Sequence, residues 1–241
     1  MRPIYVSAAS LVPWSLGSGG PARALELAKA AGYAGLQVLP LRGWTPETLR
    51  QLPPEYVVAF EEAWNQGSFT GALKRHLRLA GADKPTLLDW ILFGPQPMQT
   101  PDMRKLFSHA IPIVHDNEEF YEINPEGGYP HARMPVVWDT QHTRRGRRDG
   151  QPSSLGPWYE LMSSVHSQIW LIHVHPTHAE ISDLLAGRGT ELVLMLRRLR
   201  KLVSSFIPVV IEVAPRLLAS ETGVVDYLAR LRAATNRLLP E

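Results

Sequence analysis

The sequence predicts an α/β fold, a single (β/α)8 barrel, and three observations lead there. Short apolar runs alternate with amphipathic helical segments along the chain, eight runs and seven helical segments being readable. The 241 residues, 44% of them hydrophobic, match one barrel of roughly 250 residues and show no second compositional regime, so residues 1–241 read as one domain. Four successive apolar runs also stop at a carboxylate or a histidine, and in a parallel barrel all such ends lie on one face.

Taken in order, Pro3–Ala9 is the first strand and Pro21–Ala31 the first amphipathic helix, with Pro21 suited to a first turn and Gly32 closing it. Gly35–Leu39 is strand two, and Thr45-Pro46-Glu47 starts a helix. Tyr56–Phe60 is strand three, ending in Glu61-Glu62, and a helix over Gly71–Leu79 leads to strand four at Thr86–Phe93. After a short helix around Asp102–His109 comes strand five, Ile111–His115, and then an irregular segment with turns at Asn124-Pro125 and Gly127-Gly128. The run within Met134–His142 is strand six. A polar loop and a helix over Trp158–His166 follow, then strand seven at Ile169–His175. A loop with Gly187 and Gly189 precedes a helix over Thr190–Val203; strand eight is Ile207–Val213, and the last helix covers Thr222–Leu238.

The chemistry-bearing residues sit where these strands end. Ile111-Pro-Ile-Val runs into His115-Asp116-Asn117, Val136-Val-Trp into Asp139 with His142 three residues on, Ile169-Trp-Leu-Ile into His173-Val-His175, and Ile207-Pro-Val-Val-Ile into Glu212. Mixed carboxylate and imidazole donors suit a divalent metal such as Mn, Zn, Co, Fe or Mg. Residues two apart on a strand share a face, so His173 and His175 are expected to point inward, with Trp170, Ile172 and Val174 against the helices. Each position also has a plainer reading: one strand-end carboxylate is usually a loop cap, and one histidine, such as His178, a solvated or structural group. Four aligned ends weigh against coincidence.

Glu61 is a candidate for the pocket or equally a solvated loop start. Trp14, Trp44 and Trp64 each follow a strand, where an indole could stack on a sugar ring or serve in packing. Arg144, with Arg145, Arg147 and Arg148, could clamp an anionic substrate group, although Gly146 and Asp149-Gly150 favour a solvated loop.

Several classes are excluded or unsupported. The chain has no cysteine, so disulfides, thiolate metal sites and cysteine nucleophiles are out. No lysine ends a strand, which removes support for Schiff-base chemistry, and no glycine-rich phosphate loop is present. A formal charge of +2, with scattered basic residues, does not describe a nucleic-acid surface. Neither a signal-peptide core nor a membrane-length apolar run is seen, so a cytoplasmic soluble protein is expected.

The chain resembles the xylose isomerase-like TIM-barrel superfamily, which includes sugar isomerases, epimerases, inosose dehydratases and metal-dependent AP endonucleases. The resemblance rests on the passage Ala24–Leu39, on Asp139-Thr-Gln-His142, on Ile172-His173-Val with its later Gly-x-Gly turn, and on Val210-Ile-Glu212, in that order. It implies a metal held by Asp116, Asp139, His142, His173 and Glu212, with proton transfer by Glu212 and Asp116, and His173 as a further catalytic group. Where the family has Glu followed by Asn, this chain has Asp116-Asn117, so His115 is an alternative ligand. His175, Glu61 and Arg144 are then candidates for contacting a small-molecule substrate, a sugar or polyol. Two other readings stay open: an AP endonuclease-like phosphodiesterase, for which the strand-three and strand-four histidines and an Asp-x-His after strand seven are not found, and a degenerate barrel with a binding role.

Overall fold

The computed structural model describes residues 2–15, 19–38, 44, 48, 52–53, 56–61, 90–93, 111–114, 136–141, 155–214 and 221–239. Eight parallel strands follow one another around a closed barrel in sequence order, β1 pairing with β8 to complete the ring. They are β1 Ile4–Ser7, β2 Leu36–Val38, β3 Val57–Glu61, β4 Trp90–Phe93, β5 Ile111–Val114, β6 Val136–Asp139, β7 Ile169–Val174 and β8 Val209–Ile211. Each lies within or across the apolar run read from the sequence, shortened at the ends where the ladder stops. The described helices are α1 Val12–Ser15, α2 Gly20–Ala30, α3 Leu155–Val165, α4 His178–Ala186, α5 Glu191–Leu202 and α6 Glu221–Leu238. The helices expected over Gly71–Leu79 and Asp102–His109 lie outside the described residues, as does all of the Thr45 helix except Thr48, which is helical.

Strand alternation sorts the apolar side chains into two layers. Outward-facing Ile4, Val6, Leu36, Val38, Trp138, Ile172, Val174, Val209 and Ile211 join the buried faces of α2, α3, α5 and α6 in the main core. The alternate positions Val58, Val137, Leu171 and Val210 form a small inner cluster, against which Tyr5 packs. This inner layer is the floor beneath the strand ends.

Three local features depart from the sequence reading. Trp170, expected against the helices, packs on the inner cluster instead. The cause is a register shift: Val136 pairs with Ile169 but Val137 pairs with Leu171, so Trp170 is an extra residue on β7 and alternation restarts after it. Second, the loop expected after β7 contains a helix, α4. Thr177 caps it through a reciprocal pair, its hydroxyl accepting from the Glu180 amide at 3.2 Å while the Glu180 carboxylate accepts from the Thr177 amide at 2.9 Å. Gly187, at φ 66°, ends it in the left-handed conformation. Third, Ala8 and Ala9, read as the end of the first strand, belong to a 3₁₀ turn, Ala8–Leu11, that leads into the short α1.

Gly35 marks where β2 enters the barrel against β3. A Cβ at this position would run into the Tyr56 carbonyl oxygen, so only glycine lets the two backbones pass this closely.

Candidate functional site

β6 ends at Asp139 and β7 carries His173 directly opposite it in the ladder. Both side chains are buried, and the carboxylate Oδ2 stands 3.5 Å from the imidazole Nδ1. The other carboxylate oxygen, Oδ1, accepts a hydrogen bond from the Gln141 amide at 2.6 Å, a local turn that fixes the carboxylate at the strand end. Asp139 lies on the strand face of Val137, and His173 on that of Leu171, which places both above the inner apolar cluster.

A separation of 3.5 Å is long for an N–H···O hydrogen bond, whose usual range is about 2.7–3.2 Å. It equals the edge of a coordination polyhedron: two donors each about 2.1 Å from a tetrahedral ion stand roughly 3.4 Å apart. The pair therefore fits a divalent ion in donor chemistry and in spacing. Among the described residues no third carboxylate or imidazole completes a metal-binding group.

Glu212 lies just beyond β8, where its amide donates to the Val174 carbonyl at 3.1 Å and carries the β7–β8 ladder past the strand. His173 pairs with Val210, so Glu212, two residues on, stands on the same strand face one step nearer the mouth, level with His175. Glu212 and His175 are half-buried. The described donors thus occupy two levels: Asp139 and His173 below, His175 and Glu212 above.

The backbone of Glu61 ends β3, paired with Leu92, while its side chain lies outside the described residues. His115, Asp116, His142 and Arg144 also lie outside them. His178 is exposed in the first turn of α4. Trp44 is no sugar platform: it is buried, with its indole N–H donating to the Ser15 carbonyl at 3.2 Å. Trp14 packs against the main core, and Trp64 lies outside the described residues.

Sequence reasoning missed Thr140. It is fully buried, its amide donates to the His173 carbonyl at 2.9 Å, and its hydroxyl accepts from the His175 amide at 3.0 Å. The signal available was its place directly after a strand-end aspartate. Among the described residues, no helix is long and apolar enough to cross a membrane.

Comparison with known proteins bears on the fold. No protein-family profile matches the chain, and no curated protein matches it. Solved structures do. The IolI protein, solved with a bound zinc atom, superposes with a TM-score of 0.58 at 13% identity, over 99% of this chain and 98% of its own. A sugar phosphate isomerase/epimerase from Parabacteroides distasonis gives 0.57 at 10% identity, over 100% and 95%. A xylose isomerase-like TIM barrel fused to a 4-hydroxyphenylpyruvate dioxygenase gives 0.54 at 12% identity, over 98% of this chain and 43% of the fusion. At these identities the likeness is one of architecture: the chain shares the (β/α)8-barrel fold of these proteins.

Proposed function

We propose that this barrel is a divalent-metal-dependent isomerase or epimerase acting on a small polyhydroxylated substrate, a sugar or polyol derivative. The observation that carries the reading is the buried Asp139–His173 pair, spaced as two neighbouring ligands of one ion at the C-terminal mouth of the barrel. Two of the structural neighbours support it by what their names state, one holding zinc and one being a sugar phosphate isomerase/epimerase.

Asp139 and His173 would hold the ion, with the remaining ligands drawn from Glu212, His142 and Asp116 or His115, the set the resemblance implies. When bound, the ion supplies charge that polarises a carbonyl and its neighbouring hydroxyl and acidifies the carbon-bound proton between them. The protein's part is to place bases beside that carbon. Glu212, half-buried one level above the pair, would take the proton as a carboxylate, and Asp116 or His115 would return one. Return to the same carbon from the other face is epimerisation, and return to the adjacent carbon is isomerisation. In this reading His175, Glu61 and Arg144 would contact the substrate's hydroxyl or anionic groups.

The test is elemental analysis of the purified chain, followed by incubation with a panel of aldoses, ketoses and inososes in D2O, read by NMR. One ion per chain and metal-dependent deuterium entry at carbon in one of these substrates are expected. A chain that takes up no divalent ion and exchanges no carbon-bound proton would overturn the proposal in favour of a barrel retained for binding.

A further inference from the structure

Past the end of β6 the ladder with β7 has no further strand pairing to hold it, yet the residues there must be held most firmly. Thr140 does this with two bonds. Its amide donates to the His173 carbonyl at 2.9 Å, and its hydroxyl accepts from the His175 amide at 3.0 Å, standing in for a backbone carbonyl in the next rung. The same turn uses the Gln141 amide to hold the Asp139 carboxylate at 2.6 Å. Asp139-Thr140-Gln141 therefore ties the strand end that carries a carboxylate to the backbone of two histidines on the next strand.

From this juxtaposition we infer that Thr140 is a positioning residue for the candidate metal site, setting the register of His173 and His175 against Asp139; the inference rests on the metal-site reading above. The hydroxyl is the group that matters. Valine keeps the shape and the volume at this fully buried position but leaves the His175 amide without its acceptor, whereas serine keeps the acceptor and loses only a methyl group. The amide–carbonyl bond to His173 survives in both variants, so neither should unfold the strand end.

The test compares wild type, Thr140→Val and Thr140→Ser for zinc ion alone, by competition with a chromophoric chelator, and for the imidazole and His175 amide signals by NMR. Thr140→Val is expected to bind zinc about 10–100-fold more weakly, the cost typical of lost ligand orientation, with faster exchange of the His175 amide, and Thr140→Ser to stay within about 3-fold of wild type. Zinc affinity unchanged in Thr140→Val, or lost equally in both variants, would overturn the assignment, the latter by showing that keeping the hydroxyl does not preserve the site. If the wild type binds no zinc, the metal reading fails separately. The positioning role is then decided by whether Thr140→Val, and not Thr140→Ser, shifts the His173 and His175 ring signals.

Discussion

Asp139 and His173 face each other across adjacent strands, Oδ2 to Nδ1 at 3.5 Å, with both side chains almost wholly removed from water. Burying a carboxylate costs several kcal/mol unless a cation or good hydrogen bonds compensate it, so a divalent ion should stabilise the folded chain markedly. Zinc or manganese at about 100 times its dissociation constant is expected to add about 2.7 kcal/mol, raising Tm by roughly 5–10 °C in calorimetry. Asp139→Asn keeps the Oδ1 acceptor for the Gln141 amide and removes the charge. It should fold and show no metal-dependent rise. A rise equal to that of wild type would place the ion elsewhere.

The barrel was legible in the sequence because eight apolar runs of strand length, each ending in polar residues, leave few alternatives for a chain of this size. The Asp139 and His173 level was legible for the same reason. Strand periodicity says which face a residue takes, and register between neighbours follows once both runs end at the same mouth. What periodicity cannot show is an interruption of itself. Trp170 escaped because one extra residue on β7 shifts alternation locally. Helix α4 escaped although Thr177-His178-Ala179-Glu180 spells a capping box, because His178, Glu180 and Asp183 dilute its apolar stripe to Ile181 and Leu184. Trp44 illustrates a third limit: an aromatic after a strand is a sugar platform or a core residue depending on tertiary neighbours, here the Ser15 carbonyl.

The close passage at Gly35 makes a sharp prediction. Gly35→Ala forces the β2 backbone away from the Tyr56 carbonyl, and overpacking against a main-chain atom cannot be relieved by a rotamer change. A loss of about 2–4 kcal/mol is expected in urea melts, enough to lower Tm by roughly 5–15 °C. Gly189→Ala, where a Cβ meets nothing within 4 Å, should change stability by less than about 0.5 kcal/mol. Equal effects at the two glycines would contradict the β2–β3 packing described here.

The capping box should act as one unit. Thr177→Ala and Glu180→Ala each remove one of the two reciprocal bonds at the start of α4 and should cost about 1 kcal/mol apiece. The double variant should cost clearly less than the sum, because each side chain orients the other. Strict additivity in a double-mutant cycle would mean that the two bonds form independently. Since α4 begins within three residues of His175, faster amide exchange in its first turn in either single variant is the accompanying local signature.

Alkaline pH should destabilise the fold through Tyr33. Its ring is buried between α2 and α6, and its hydroxyl donates to the Leu228 carbonyl at 2.9 Å. Burial pushes its pKa well above the ordinary 10.0, outweighing the nearby Arg232 charge, and burial also raises that of Tyr227. The sign follows from which state holds the proton. Above pH 10 the unfolded chain releases the phenolic proton while the folded chain keeps it, so the unfolded state binds fewer protons and stability falls as pH rises. The stabilisation is complete below the unfolded pKa and declines above it by about 1.4 kcal/mol per pH unit for Tyr33. Tyr33→Phe forfeits the bond to Leu228 and should cost about 1 kcal/mol at pH 7, yet its stability should decline less steeply between pH 10 and 11.5 than that of wild type. Parallel pH profiles for the two proteins would show that Tyr33 titrates alike in the folded and unfolded states and is not enclosed as described.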